Sequence, residues 1–137
     1  MREIKFRVWD SERKRMSLPF KLDGFTIFFT DDTIPFQFLS DTNRFKIMQY
    51  VEFSDKNGKE IYEGDILRTT MTLVWDLYLD NYIEETEVIT TVVEYQPPRF
   101  TQRCVDDGLL YTFDMEDFEV IGNIYENPEG VESDTIY

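Results

Sequence analysis

Residues 48–67 read MQYVEFSDKNGKEIYEGDIL, and the places where this stretch turns set the fold. Asn57-Gly58 lies between apolar runs, and both residues tolerate positive φ, so it is the strongest hairpin signal in the chain. A two-residue loop would set Lys56 against Lys59 and Asp55 against Glu60, and like charges directly across a ladder are unfavourable. A three-residue loop avoids this. It predicts a type I turn starting at Asp55, Gly58 as a left-handed bulge residue, and Lys59 facing Asp55. Gly64-Asp65 then turns the chain into Ile66-Leu67, an opening common in small barrels. The acids here do not make a calcium loop. Glycine comes fourth rather than sixth, and Lys59 stands where a ligand belongs.

Outward from this hairpin, strands recur with turn signals between them. Residues 1–10 alternate, with Ile4, Phe6 and Val8 on one face and Lys5, Arg7 and Trp9 on the other, as a half-buried strand does. Residues 16–22 form a proline-interrupted edge or loop, residues 25–30 a β-branched and aromatic strand, and residues 45–53 an extended run into the hairpin. Residues 69–95 read as two long strands joined near Asp80-Asn81. The alternative is a short helix over 74–84, because Val74, Leu77, Tyr78 and Tyr82 would share a helical face. Pro97-Pro98 breaks the second strand. Residues 100–105 pair with 109–113 across Asp106-Asp107-Gly108, and residues 118–125 form the last strand, ended by Asn127-Pro128. This pattern is that of an all-β sandwich or small barrel.

Composition narrows the functions. A chain of 137 residues with 42% hydrophobic and 16% aromatic residues can build a core despite a net charge of −14. Residues 1–15 carry net +3, residues 16–103 net −7 and residues 104–137 net −10. A polyanion repels phosphate backbones, so ordinary nucleic-acid binding is disfavoured. One cysteine, Cys104, permits no internal disulfide and suits a reducing cytosol. No signal peptide or membrane-spanning run is visible, which points to the cytoplasm.

There is no histidine, which removes the commonest general base and metal ligand. Cys104 therefore lacks an activating partner and reads as a small buried hydrophobe. The glycines are scattered singly, so no phosphate-binding loop exists. Acid pairs such as Asp31-Asp32, Glu84-Glu85 and Asp106-Asp107 could do acid–base work, but in so acidic a chain proximity alone is not a site. No enzyme activity, catalytic residue, metal or cofactor is expected.

Three segments together resemble the YopX family of small phage and prophage proteins: MREIKFRVWD at residues 1–10, the stretch at 48–67, and FEVIGNIYENPE at residues 118–129. The resemblance spans nearly the whole chain. It implies a mostly β protein with an SH3-like barrel from about Met48 to Asn127, whose strands include Gly64-Asp65-Ile66, Val92–Tyr95 and Val120–Asn123. It carries over no catalytic residue and supplies no mechanism. In one departure, Val51-Glu52-Phe53 stands where members of the family often have Thr-Gly-Leu, so the backbone there is expected to differ. In another, residues 70–91 form an enlarged hairpin.

The expected architecture is an N-terminal β region (1–47) packed on the barrel (48–128), with an acidic tail (129–137). The expected function is non-enzymatic: a phage or prophage accessory protein that binds a basic host or phage protein, or itself, through an acidic surface that could mimic DNA. The expected contact residues are Trp75, Tyr78 and Tyr82 on the hairpin and Asp114, Glu116, Asp117 and Glu119 near the C-terminus. Self-association, as a dimer or higher, is expected from the aromatic hairpin. The alternative is a nucleic-acid-binding module that uses the barrel and the basic N-terminus.

Overall fold

The computed structural model describes residues 4–22, 26–76, 81–106, 108–111 and 118–128, with only the backbone for residues 71–76, 81–87 and 111. The fold is all-β, and its curled antiparallel sheets form a half-barrel. Eleven strands run in chain order: β1 (Phe6–Asp10), β2 (Arg15–Met16), β3 (Thr26–Phe28), β4 (Thr33–Pro35), β5 (Phe45–Ser54), β6 (Glu60–Tyr62), β7 (Asp65–Asp76), β8 (Asn81–Gln96), β9 (Arg99–Cys104), β10 (Leu110–Tyr111) and β11 (Phe118–Asn123). One sheet has the order β2-β1-β5-β6, a second β10-β9-β8-β7-β11, and β3-β4 is a separate ribbon. A 3-10 turn over Phe36–Ser40 follows Pro35.

The central hairpin has the predicted geometry. Gly58 sits at φ 81, its N–H donates to the Asp55 carbonyl at 2.9 Å, and the Asp55 N–H donates to the Lys59 carbonyl at 2.8 Å. One Asp55 oxygen accepts from the N–H groups of Asn57 and Lys59, each at 2.9 Å. The other accepts from the Val120 N–H at 2.9 Å. The Lys56 N–H also donates to the Phe118 carbonyl at 3.1 Å. The hairpin tip is thereby hooked onto β11, and the first sheet joins the second. Burial pushes the Asp55 carboxyl up, but the three backbone donors outweigh it and leave its pKa lowered.

β5 belongs to both halves of the molecule. Its first half pairs with β1 from Phe45↔Asp10 to Gln49↔Phe6. Its second half pairs with β6, with a shift in register between Tyr50 and Ser54. Glu52 lies within that shift at φ 72. The bulge bends the strand, as extra residues on one side of a ladder do. The expected division at 47/48 falls inside this strand.

Three apolar clusters follow from the curl. Val8, Ile27, Phe29, Ile34, Leu39 and Phe45 pack at the N-terminal end. Val51, Ile61, Leu67, Val93 and Phe118 fill the half-barrel. Trp9, Met48 and Tyr62 pack between the two. The expectation of a half-buried first strand is thus corrected. Val8 and Trp9 point to opposite faces and are both buried, because β1 is sandwiched between the N-terminal core and the seam. Asp10 is also fully buried.

Residues 69–76 and 81–95 form the two long strands rather than the alternative helix, paired from Ile66↔Val92 to Asp76↔Asn81. Their junction at 77–80 lies outside the described residues, as do residues 129–137. β9 and β10 pair as expected, through Leu110↔Arg103 and Tyr111↔Gln102. The last strand stops at Asn123 rather than residue 125. The Asn123 side-chain oxygen accepts from the N–H groups of Tyr125 at 3.0 Å and Glu126 at 2.9 Å, which pulls the chain into a turn. Gly122 is needed beside this turn, because a Cβ there would lie 2.5 Å from the Asn127 side-chain oxygen.

Candidate functional site

The β7–β8 hairpin projects beyond its neighbours. β11 pairs with β7 only from Asp65 to Thr69, and β9 pairs with β8 only from Thr91 to Gln96. Residues 70–76 and 81–90 therefore continue as a two-stranded ribbon, whose outer edges meet no strand among the described residues. At about 3.3 Å per residue the ribbon reaches roughly 20 Å past β11. Residues 70–90 include Asp76, Asp80, Glu84, Glu85 and Glu87 and contain no Lys or Arg. Val88 is 58% exposed where the ribbon leaves the sheet.

The expected contact residues are placed unevenly. Trp75 and Tyr82 are opposite each other across the ribbon. Tyr78, Asp114, Glu116 and Asp117 lie outside the described residues. Glu119 stands on β11 between two cations, Lys56 at 3.4 Å and Arg68 at 3.9 Å.

Cations of the N-terminal part turn inward, Lys5 and Arg7 at the seam between the halves and Arg15 and Arg44 within the N-terminal half. Arg7 pairs with the buried carboxylate of Asp65 and lies over the Tyr62 ring, 4.5 Å from its centre. Lys5 pairs with Glu60 and sits 4.8 Å from the Tyr50 ring centre. Arg44 donates to both oxygens of Asp10, at 2.9 and 3.1 Å, and stacks over Phe45. Arg15 lies over Phe29, donates to Asp10 at 3.3 Å and pairs with Asp31 and Asp32. Each of these cations thus has a carboxylate at its head and a ring at its flank, which offsets its loss of water. Arg13 also pairs with Asp32, at 3.2 Å, but both groups are exposed and the pair is screened.

Burial pushes the Asp10 carboxyl up. Hydrogen bonds from the Arg44 side chain and from the Arg13 and Glu12 N–H groups, together with the charge of Arg44, prevail and lower its pKa to about 2. For Asp65 burial wins and the pKa is raised, against the charge of Arg7 and the N–H of Tyr62. Burial and the nearby Glu60 push the Tyr62 phenol up to about 12.

A cleft of about 640 Å³ opens beside this seam, lined by Trp9, Lys14, Arg15, Met16, Tyr125 and Glu126. Lys14 holds a left-handed backbone at φ 54. Elsewhere, Gln102 is fully buried and accepts from the hydroxyls of Thr69 at 2.8 Å and Thr91 at 2.9 Å, a polar tie across β7, β8 and β9. Cys104 is buried. Among the described residues, no three of His, Cys, Asp or Glu gather into a metal-binding group. Asp31 and Asp32, one of the acid pairs, both face Arg15.

The seam was partly legible. The signal is Lys5 and Arg7, charged residues that alternate with Phe6 and Val8 along a strand rich in core residues. That Asp65 completes the Arg7 pair and Arg44 the Asp10 pair was not, since the partners lie 58 and 34 positions apart.

The family described as YopX protein matches residues 5–132. Among solved structures the chain is similar to protein EF1440 from Enterococcus faecalis, with a TM-score of 0.57 and 27% identity over 96% of this chain and 99% of that one. No curated protein matches it.

Proposed function

The chain belongs to the YopX protein family, and on that premise we propose that it is a non-enzymatic accessory protein of a phage or prophage that binds a basic protein through its acidic surface. The observation that carries this reading is the internal use of the cations. Lys5, Arg7, Arg13, Arg15 and Arg44 all face carboxylates of the same chain, and so do Lys56, Arg68 and Arg103. Eight of the fourteen cations are thus engaged within the chain, which leaves fewer to offset the net charge of −14 at its surface. Such a surface steers basic partners toward it and could stand in for DNA on a nucleic-acid-binding protein. The pairing also weakens the nucleic-acid-binding alternative, because cations held by carboxylates are poor partners for phosphate. No cofactor is called for. The bacterial cytoplasm suits a chain with one buried cysteine, and no helix among the described residues is long and apolar enough to cross a membrane. Self-association belongs to the same reading and is checked by mass in solution.

The test is association kinetics with proteins captured on the immobilised chain. Asp114→Asn, Glu116→Gln, Asp117→Asn and Glu119→Gln together should slow association about tenfold at low salt, and the difference should shrink as salt screens exposed charge. The circular dichroism spectrum should not change. Unchanged rates for every captured protein would defeat the acidic-surface reading, and turnover of a small molecule by the carboxylates would defeat the non-enzymatic one.

A further inference from the structure

We propose that the outer edge of β8, from Thr86 to Val88, is a docking edge that takes an extended basic segment of the partner as an added strand, in line with β9. This rests on the protein-binding reading above and specifies how that binding occurs. The parity of β8 comes from two hydrogen bonds. The Val105 N–H donates to the Thr90 carbonyl at 2.9 Å, so Thr90 faces the β9 side. The Gly64 N–H donates to the Val93 carbonyl at 2.8 Å, so the odd positions face β7. By alternation Val88 and Thr86 also present their N–H and C=O groups to the β9 side. β9 has ended at Cys104 before reaching them, and no strand among the described residues takes its place. Open amides beside a half-exposed β-branched residue are the template that strand addition uses.

Charge selects the occupant. In sequence, residues 70–90 carry five acids and no cation. The acids that residues 70–90 carry on two copies would repel one another, which disfavours a second copy on this edge. A segment that alternates Lys or Arg with β-branched residues would meet the acids with opposite charge and Val88 with apolar surface. The chain's own basic strand cannot serve, because β1 is already paired on both sides.

The test uses the full chain, isotope-labelled, with two synthetic decapeptides, one alternating Lys and Val and one alternating Glu and Val. The Lys-Val peptide should slow amide exchange at Thr86 and Val88, and the Glu-Val peptide should not. Val88→Pro removes an outward N–H while the bonds to β7 use the odd positions, so it should weaken Lys-Val binding about tenfold, the loss of an edge hydrogen bond. Equal affinity in Val88→Pro, or exchange slowed only elsewhere, overturns the docking edge. Exchange at Thr86 and Val88 that slows with protein concentration alone assigns the edge to a second copy and also overturns it. If Val88→Pro does not fold, the exchange map of the unaltered chain decides. Binding that protects residues 104–128 instead would sink strand addition and leave the acidic-surface reading standing. That reading falls only with the four-site neutralisation described above.

Discussion

Glu52 is a non-glycine residue held in the left-handed region of backbone space. It sits at φ 72, a conformation that glycine adopts freely and a residue with a Cβ does not. The bulge that bends β5 holds the conformation, and the side chain tolerates the strain. A non-glycine residue in this region costs about 1–2 kcal/mol, and glycine would return part of that through a looser unfolded chain. Glu52→Gly should therefore raise stability by about 0.5–1 kcal/mol, seen as a higher urea midpoint at an unchanged slope. A lower midpoint would mean that contacts of the Glu52 side chain outweigh the backbone strain.

At the scale of elements, the β5–β6 hairpin joins the two sheets, and its turn should govern that junction. No atom lies within 4 Å of a Cβ built on Gly58, so substitution there tests backbone conformation with no steric clash. Gly58→Val should destabilise by roughly 1–3 kcal/mol, because a β-branched residue resists φ near 81°. Amide exchange at Val120 should quicken with it, since the Asp55 carboxylate holds that N–H from the same turn. An unchanged midpoint and unchanged Val120 exchange would separate the turn from the hook. The turn type was legible because the repulsion of like charges excluded the two-residue loop locally. The hook was not, because it depends on β11, 65 residues further on.

For the whole molecule, charge and fold should respond to acid at different points. The sequence pI is about 4.3, so repulsion between copies vanishes near that pH and solubility should be lowest there. Asp10 has its folded pKa lowered from 3.8 to about 2. A lowered carboxylate contributes stability that is full above the unfolded value and is lost as pH falls through the folded one. That contribution should therefore persist at the solubility minimum and disappear between about pH 4 and 2. Light scattering recorded with near-ultraviolet circular dichroism should show turbidity near the pI with native tertiary signal, then loss of that signal at lower pH. Loss of tertiary signal at or above the solubility minimum would refute the separation.

The sequence by itself determined the all-β class, the three-residue turn at Asp55–Gly58 and the surplus of acid, while the choice of strands over a helix on either side of residue 80 came with the pairing of β7 and β8. The first three rest on neighbours in the chain: alternation, turn chemistry and summed charge act over a few residues or need no geometry. The tertiary structure decided that β1 is buried on both faces, that β5 serves both halves, that Lys5, Arg7 and Arg15 pair with carboxylates inside the fold, and that β8 outruns β9. Each of these depends on which distant segment packs against a strand, and a strand's own sequence does not encode its neighbour. The Arg7–Asp65 pair forms only once the two sheets pack together, and it turns part of an apparent basic patch into a joint between them.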